Sequence, residues 1–450
     1  MINDKLLFWD LDIFSMSNFN LETVNITCLS QSGSFDISQT TTVFVKNLHI
    51  IGCGGIHIKH VSRFILENTT FQGSNGTALV FNQTNEAYIV NCFFINCKSS
   101  FYSSLNQSFG GVIVALSSSI LVEDTTFEKN TAEIGAAIYG QEGNITTYKS
   151  NFLYNEASSQ GGALAAFRCL VHVVICTFIG NGAVDEGGVI FTAESSFYIV
   201  DNFFSTNSAD YNGGVIYSER DLFHIVDSTF SDNTAPLSGV IYIQDGSFHI
   251  ADSSFSNTYN GGVIVADINL FEVDVHVFNS SFNNNSANNG GVIYSVRSSF
   301  HITDSAFNNN SATLGGAIHS DRSSFFIIHC TFRTNKASTQ GGVIAATSGS
   351  SFHVANSSFS SNSVDICVNI TNNNSSAFGA IAVTVAIDYN CTCYSNILSF
   401  DHSSLNLSGN TSFVNNAGSQ VYAAISNVTF SGFTRFENCG NMHESWWRCY

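Results

Sequence analysis

A motif of about 25 residues recurs along most of this 450-residue chain. One mark of the repeat is Gly-Gly-Val/Ala-Ile, as in the GGVI at Gly187 and again at Gly213. The other is Phe-x-x-Asn, and its successive Phe positions from Phe127 to Phe230 lie 25, 26, 26 and 26 residues apart. A fixed period of this kind indicates small supersecondary units that stack on one another.

The pattern inside one period is that of short β-strands. Apolar residues alternate at a spacing of two, and segments such as GGVIYS, SFHITDS and STFSDN are bounded by Gly, Ser, Asn or Asp. No window of a dozen residues has helical periodicity, and a β-propeller blade needs about 40 residues. The sequence therefore predicts an all-β solenoid, a parallel β-helix with three short strands in each coil of about 25 residues.

Residues at the same place in successive coils would stack as ladders with a spacing of about 4.8 Å. We expect the Phe to point inward and the Asn amides to hydrogen-bond along the solenoid axis. The Gly pair would permit a positive φ or close packing at a coil corner. The predicted structural ladders include Phe204, Phe230, Phe282, Phe307, Asn207, Asn233, Asn285, Asn310, Gly187, Gly188, Gly213 and Gly214.

A column of His residues lies six positions before the Phe of the repeat and, by strand alternation, should face outward. Its members are His224, His249, His276, His301 and His353, and Tyr198 and Phe326 occupy the same column. Stacked imidazoles could bind a divalent metal. Tyr198 and Phe326 favour the alternative, in which the rings only stack on one another.

A second column, three residues before the same Phe, holds Asp201, Asp227 and Asp252. Ca²⁺ could bridge these carboxylates, or they could cap a coil corner through hydrogen bonds to nearby backbone N–H groups. Asn replaces Asp in several coils, and this favours capping. We therefore expect no cofactor, with Ca²⁺ as the alternative, and the sequence shows no catalytic residue.

The charge and hydrophobicity of the sequence exclude some classes of binding partner. The net charge is −19, with only 15 Lys and Arg, which argues against nucleic acid and anionic membrane surfaces. No run of about 18 apolar residues exists, so we expect no membrane insertion within this chain.

Sequons and cysteines favour a location outside the cell. Seventeen Asn-x-Ser/Thr sequons occur, and possible glycosylation sites include Asn279, Asn356, Asn369, Asn374 and Asn427. The 12 Cys include the close pairs Cys92/Cys97 and Cys169/Cys176, which fit disulfides, with buried free thiols as the alternative. Acids at Asp4, Asp10 and Asp12 do not fit a signal peptide, so we expect a fragment or a gene start that omits the leader.

We expect one solenoid over residues 20–440. Residues 1–19 would form an irregular or capping segment, and residues 441–450 a truncated tail. Insertions are expected near 98–109, 363–377 and 388–397, because the repeat lengthens there. Cys367 could bridge to Cys391 or Cys393 across the last two, and a tolerated surface insertion is the alternative.

Gly-Gly-Ala/Val-Ile alternating with Phe-x-x-Asn at fixed spacing resembles the repeats of the chlamydial polymorphic outer membrane proteins across residues 100–440. Right-handed β-helix repeat proteins of eukaryotes carry similar motifs. The resemblance implies a right-handed, pectin-lyase-like parallel β-helix displayed at a surface as an adhesin or passenger, and it brings no catalytic residue.

The predicted function is an extracellular or cell-surface structural or adhesive module. It would present a repetitive face and glycosylated loops to surface glycans or proteins, as a monomer or as part of a longer chain. The alternative is a polysaccharide lyase or glycoside hydrolase on the same scaffold. Two or three acids beside an Arg in a groove would favour that enzyme. The acids of this sequence are instead spread along the coils.

Overall fold

The structure, a computed structural model, describes residues 5–6, 11–14, 18–23, 25–27, 34–99, 109–267, 273–364, 396–401, 403–414, 419–424 and 427–437. Within those residues the regular elements are β-strands, and they form a right-handed parallel β-helix of about 13 turns. This confirms the predicted fold. The chain divides into two compact units, Met1–Pro236 and Leu237–Tyr450, called unit 1 and unit 2.

Each regular coil contains three main strands. The strands are named after the residues that mark the central coils: the Gly-Gly strand follows the Gly pair, the ring strand carries an outward ring from His172 to His353, and the Phe strand carries the Phe of Phe-x-x-Asn. In unit 1 the Gly-Gly strands are Leu11–Phe14, Ser34–Ser38, Gly55–Lys59, Leu79–Asn82, Ile113–Leu116, Ile138–Gln141, Leu164–Phe167, Ile190–Ala193 and the first part of Ile216–Val226. The ring strands are Asn18–Glu22, Thr42–Lys46, Arg63–Glu67, Glu86–Val90, Ser119–Glu123, Asn144–Tyr148, Leu170–Val174, Ser196–Val200 and the last part of Ile216–Val226. The Phe strands are Lys5–Leu6, Asn25–Thr27, His49–Ile51, Thr70–Gln72, Phe93–Ile95, Thr126–Glu128, Asn151–Leu153, Thr177–Ile179, Phe203–Ser205 and Thr229–Ser231.

Unit 2 repeats the same arrangement. Its Gly-Gly strands are the first part of Ile241–Ala251, then Ile264–Asp267, Ile293–Val296, Ile318–Asp321, Ile344–Thr347, Asn396–Asp401 and Ser419–Ala424. Its ring strands are the last part of Ile241–Ala251, then Val273–Phe278, Ser299–Thr303, Ser324–Ile328, Ser351–Ala355 and the first parts of Ser404–Val414 and Asn427–Glu437. Its Phe strands are Ser254–Ser256, Ser281–Asn283, Ala306–Asn308, Thr331–Arg333, Ser358–Ser360 and the last parts of Ser404–Val414 and Asn427–Glu437.

Parallel pairing begins before residue 20, where the sequence predicts an irregular or capping segment. Lys5–Leu6 pairs with Asn25–Thr27, and Leu11–Phe14 pairs with Ser34–Ser38. The first strands therefore lie inside that segment. The weak repeat pattern there hides them, because no Gly-Gly pair precedes them.

A fourth strand of two to five residues follows the Phe strand in several coils and was not predicted. These strands form one four-stranded sheet in each unit. They are Thr131–Ile134, Glu156–Gln160, Gly182–Ala183 and Ser208–Ala209 in unit 1, and Ser286–Asn289, Ser311–Leu314, Lys336–Gln340 and Ser363–Val364 in unit 2.

The interior of the solenoid is a stack of Phe rings. Phe178, Phe204 and Phe230 are fully buried in unit 1, and their ring centroids are 4.7 Å apart with nearly parallel planes. In unit 2, Phe282 and Phe307 are equally buried, 4.8 Å apart. Such aromatic pairs contribute about 1 kcal/mol each beyond the free energy of burying their area. The in-register pairing of parallel strands therefore stacks the inward Phe rings into a hydrophobic column within each unit.

The Gly pairs serve the corner before each Gly-Gly strand in two different ways. Gly187 has φ +64°, a backbone conformation that is unfavourable for most residues with a side chain. Gly188 lies under the next coil, and a Cβ on it would come within 2.3 Å of the Gly214 carbonyl oxygen. The first Gly thus permits the turn and the second permits close stacking. Gly213 repeats the positive φ, at +62°.

A buried polar ladder follows the corner after each Phe strand. The Asn155, Asn181, Asn207 and Asn233 side chains are fully buried, and each Asn Nδ2 donates to the Oδ1 of the next Asn at 2.9–3.1 Å. Each Nδ2 also donates to the Phe carbonyl one coil back, at 3.1 Å from Asn207 to Phe178. Asn285 and Asn310 form the same ladder in unit 2.

The disulfide prediction is wrong for Cys92, Cys97, Cys169 and Cys176, which are free and buried. Each occupies a position that Ser, Thr or Asn holds in neighbouring coils, and its backbone N–H donates to that neighbour, as from Cys169 to Ser195 Oγ at 3.1 Å. The thiol lies near the carbonyl oxygen two residues earlier, so it replaces a hydroxyl as a weak donor. Cys53, in contrast, is disulfide-bonded.

One coil of unit 2 is about twice the usual length. The Ser350 N–H donates to Ser403 Oγ, 53 residues further on, whereas equivalent bonds in regular coils span 25 to 27 residues. The two insertions predicted near 363–377 and 388–397 belong to this coil. Residues 365–395, with Asn369, Asn374 and the cysteines proposed to bridge, lie outside the described residues, as do residues 100–108 of the first insertion. No helix in the described residues is long and apolar enough to cross a membrane.

Candidate functional site

The outward rings of the ring strands form one surface feature, which we call the ring face. In unit 2 the ring centroids of His249 and His276, and of His276 and His301, are 4.8 Å apart, and the ring planes lie within 10° of parallel. Phe326 continues the stack at 4.9 Å from His301. His353 is tilted instead, and it contacts Asn406 at 3.1 Å and Ser408 at 3.3 Å.

Unit 1 has a shorter ring face. His224 stacks on Tyr198 at 5.0 Å with planes 6° apart, while His172 meets Tyr198 edge to face. The flanking residues of each ring strand, such as Phe197 and Ile199, are fully buried. The alternation of buried and outward side chains therefore places every ring of this column on the outer surface.

Asp274 joins the ring face and is a residue that the repeat pattern missed. Its Oδ2 atom lies 3.0 Å from Nε2 of His276, two residues along the same strand. One ligand atom from each of Asp274, His276 and His301 can be chosen so that all three lie within 4.8 Å of one another. The signal in the sequence is Asp-x-His within a strand, because residues two apart share a face.

The acidic column occupies the corner between the ring strand and the Phe strand. Asp201, Asp227 and Asp252 all have positive φ, between 49° and 60°. Asn279 has the same conformation, and its Nδ2 donates to Oδ1 of Asp252 at 2.6 Å. Asn and Asp tolerate this left-handed conformation better than most residues, so the geometry supports a corner role.

Two of the possible glycosylation sites, Asn279 and Asn356, lie at exposed corners. Asn279 and Asn356 belong to the acidic column, and both side chains are exposed. The side chain of Asn427 lies outside the described residues. An exposed Asn at a turn is sterically open to a glycan.

A shallow groove of about 880 Å³ lies at the corner between the Gly-Gly and ring strands of unit 1. Glu142, Arg168 and Glu194 line it, in three successive coils. Arg168 donates from Nη2 to Glu142 Oε1 at 2.6 Å, and this hydrogen bond raises the pKa of Arg168. Arg220 pairs with Glu194 at 3.1 Å. Acids and Arg therefore alternate along the groove and neutralise one another.

A buried acid, Asp221, directly follows Arg220 in the sequence. Asp221 is 4% exposed, and its carboxylate accepts hydrogen bonds from the Ser195 N–H, the Ser218 hydroxyl and the Glu219 N–H. Burial raises its pKa to about 7, against the effect of these bonds. In earlier coils the same ladder position holds Cys169 and Ser195, so the acid is a local exception.

Comparison with known proteins supports the fold. A family model described as a right-handed beta helix region matches residues 33–204, and the Chlamydia polymorphic membrane protein repeat matches residues 279–296 and 304–321. No curated protein matches the sequence.

The similar solved structures include a mutant of the periplasmic alginate epimerase AlgG and a PL6 alginate lyase in complex with a trisaccharide. The epimerase is 9% identical with a TM-score of 0.36, over 92% of this chain and 77% of that one. The lyase is 10% identical with a TM-score of 0.35, over 76% of this chain and 85% of that one. Both TM-scores are too low to support an argument about activity. The coils, the register and the repeat matches agree: this chain is a right-handed parallel β-helix repeat protein whose repeats resemble those of the chlamydial polymorphic membrane proteins.

Proposed function

We propose that the protein is a structural or adhesive module of the cell surface or extracellular space, and that the ring face binds its partner. The observation that carries the proposal is the stack of outward rings at a constant spacing of 4.8–5.0 Å, in unit 1 and again in unit 2. A packed interior does not require these rings, because the Phe and Ile columns already fill it.

The chemistry of the ring face fits a glycan or an extended protein segment. Side chains of a strand stand roughly perpendicular to the sheet, so stacked rings present their edges to solvent. Those edges offer imidazole nitrogens and aromatic C–H groups at regular intervals, which suit hydroxyl and amide groups of a repeating partner. The net charge of −19 disfavours an acidic polymer as this partner.

Two further observations support the surface location. The Chlamydia polymorphic membrane protein repeat, whose resemblance implies surface display, matches residues 279–296 and 304–321. Exposed sequons at Asn279 and Asn356 would allow glycosylation without disturbing the coils.

The test compares two double variants of unit 1. Tyr198→Thr with His224→Thr removes two stacked rings, and Thr suits an outward strand position. Ser205→Thr with Ser231→Thr alters the Phe strands of the same two coils and is the matched control. Binding is measured on a glycan array and on intact cells. We expect the ring variant to lose at least tenfold in affinity and the control to stay within twofold. Equal binding by both variants would contradict the proposal.

A polysaccharide lyase or hydrolase is the second candidate, and the groove with Glu142, Arg168 and Glu194 favours it. Against it, Arg168 is hydrogen-bonded to Glu142, and Arg220 is ion-paired with Glu194. A carboxylate held in an ion pair is a poor proton acceptor. We therefore expect no cleavage of neutral or acidic polysaccharides by the full chain. Product release that disappears in Glu142→Gln would make the enzyme the better account.

A further inference from the structure

Three potential metal ligands meet on the ring face of unit 2. Parallel pairing sets His276 directly opposite His301. Asp274 lies two residues before His276 on the strand Val273–Phe278, and therefore on the same face. The backbone alone thus places one carboxylate and two imidazoles side by side on neighbouring coils.

The distances between the ligand atoms suit one small cation. Asp274 Oδ2 and His276 Nε2 are 3.0 Å apart. Two ligands of one tetrahedral Zn²⁺ are about 3.3 Å apart, given Zn–N and Zn–O bonds of about 2.0–2.2 Å. The ligand atoms of the full group lie within 4.8 Å of one another. A shared ion therefore requires His301 to rotate about its side-chain bonds and shift its ring within the stack.

Asp274 also has an unsatisfied oxygen. Its Oδ1 atom is shielded from solvent and has no hydrogen-bond partner, although the residue itself is half-buried. A shielded acceptor without a partner carries a desolvation cost. A cation bound by this carboxylate would remove that cost.

The arrangement is confined to this coil. In the other ring strands from Leu170–Val174 to Ser351–Ala355, the residue at the position of Asp274 is uncharged; these residues are Leu170, Ser196, Leu222, Ser247, Ser299, Ser324 and Ser351. Arg63 and Glu86 hold the position in two early coils, where no His lies two residues further on. His249 stacks on the other side of His276, so the column holds three stacked His in successive coils, and Asp274 lies beside the middle one. Ring stacking alone does not explain why an acid lies beside His276.

We propose that Asp274, His276 and His301 form a Zn²⁺ site. Two imidazoles and one carboxylate suit Zn²⁺, whereas Ca²⁺ and Mg²⁺ require a larger set of oxygen ligands. The ion replaces the hydrogen shared by Asp274 and His276, and the imidazole proton moves to Nδ1 of His276. Water fills the outward coordination position, which leaves a place for a ligand atom of a partner.

Zinc at this site links two coils side chain to side chain. The strands that hold Asp274 and His301 are otherwise joined by backbone pairing, by ring stacking and by the packing of their buried inward side chains. The site does not depend on the proposed adhesive function. The adhesion variants lie in unit 1 and leave Asp274, His276 and His301 unchanged, so the two ideas fail separately.

The experiment is a Zn²⁺ titration of the full chain, by calorimetry and by competition with a chromophoric chelator. Asp274→Ser installs the residue that Ser247 and Ser299 hold in the same column. His301→Phe keeps a ring in the stack, as Phe326 does in the next coil, but removes the ligand. His224→Phe, where the acid position holds Leu222, is the control. Circular dichroism verifies that each variant is folded.

We expect one Zn²⁺ per chain at this site, and at least tenfold weaker affinity in Asp274→Ser and in His301→Phe. The control should stay within twofold of the wild type, and Zn²⁺ should raise the thermal midpoint of the wild type and control only. Wild-type affinity and stoichiometry in both site variants would overturn the proposal, since other His or Cys would then hold the metal. Absence of saturable binding by the wild type would overturn it as well.

Discussion

Asp221 shows how one residue can tie stability to pH. Its pKa of about 7 lies well above the value near 3.9 expected in the unfolded chain, because burial disfavours the charged form. The folded state therefore holds the proton more tightly than the unfolded state. The resulting stabilisation is complete below about pH 4 and is lost as the pH rises through about 7. Its upper limit is about 4 kcal/mol.

Asp221→Ser should abolish this dependence. Ser195 shows that a Ser fits the ladder, since its hydroxyl donates to Ala193 and accepts from the Cys169 N–H. We expect the free energy of unfolding of the wild type, relative to the variant, to fall between about pH 4 and pH 7. Urea unfolding at several pH values measures this difference. A constant difference across that range would show that Asp221 does not titrate as described.

The wild-type curve alone would not isolate Asp221. Burial lowers the pKa of His319 to about 4, so this residue contributes with the opposite sign. Its stabilisation is present above about pH 6.5 and is lost as the pH falls towards 4. Both groups titrate over overlapping ranges, which is why the comparison with the variant is required.

Single residues at corners were the hardest to predict from the sequence. In Ser-Glu-Arg-Asp-Leu, residues 218–222, Arg220 takes the positive φ, and this conformation turns Asp221 inward. Period-two alternation fails across such a residue, so the sequence pattern does not distinguish the half-exposed Glu219 from the buried Asp221. The same failure made the buried thiols of Cys169 and Cys176 resemble a disulfide pair.

Among the structural elements, the Asn ladder is the one for which we expect the largest loss of stability on mutation. Asn207 accepts from the backbone N–H and the Nδ2 of Asn181, and it donates to the Phe178 carbonyl and to Asn233. Asn207→Ala leaves all of these buried groups without their partner, and each unsatisfied group costs about 1–3 kcal/mol. Partial relaxation reduces the total, so we expect destabilisation of about 3–5 kcal/mol by urea unfolding.

Ser205→Ala is the control in the same coil. Its hydroxyl is on the outer side of the Phe strand and accepts one hydrogen bond from Ser231 at 3.2 Å. Solvent can replace this bond, so the change should be within about 0.5 kcal/mol. Similar losses in both variants would mean that the ladder has no special role.

The main elements were predictable because ladders amplify a weak signal. One strand of five residues such as Ser196–Val200 says little, but the same alternation in successive coils identifies inward Phe197 and outward Tyr198. The fourth strands escaped prediction because their length varies from two residues in Gly182–Ala183 to five in Glu156–Gln160, so no constant pattern recurs from coil to coil. Asp274 escaped for a related reason, since it occurs in one coil only.

For the whole molecule, stability is a sum of neighbouring contacts. Strands pair with the equivalent strands of adjacent coils, so a local defect should remain local. We expect Asn207→Ala to speed amide hydrogen exchange in the coils around Phe178 and Phe230, and to leave residues 237–450 nearly unchanged. Hydrogen exchange with mass spectrometry measures this. Uniform loosening of both units would indicate a single cooperative structure.

The 26-residue interval between Asn181, Asn207 and Asn233 has a consequence for how such a chain changes over generations. If recombination removed residues 182–207, Asn181 would come to face Asn233, Phe178 would face Phe230, and His172 would face His224. The new Asn and Phe neighbours are identical to the lost ones, and His224 would replace Tyr198 with another ring, so these three columns would meet no new packing problem. Duplication of one 26-residue period would likewise add a coil whose columns stay in register. The length of such a protein can therefore change by whole coils. Each outward column becomes longer or shorter, and its residues stay in register.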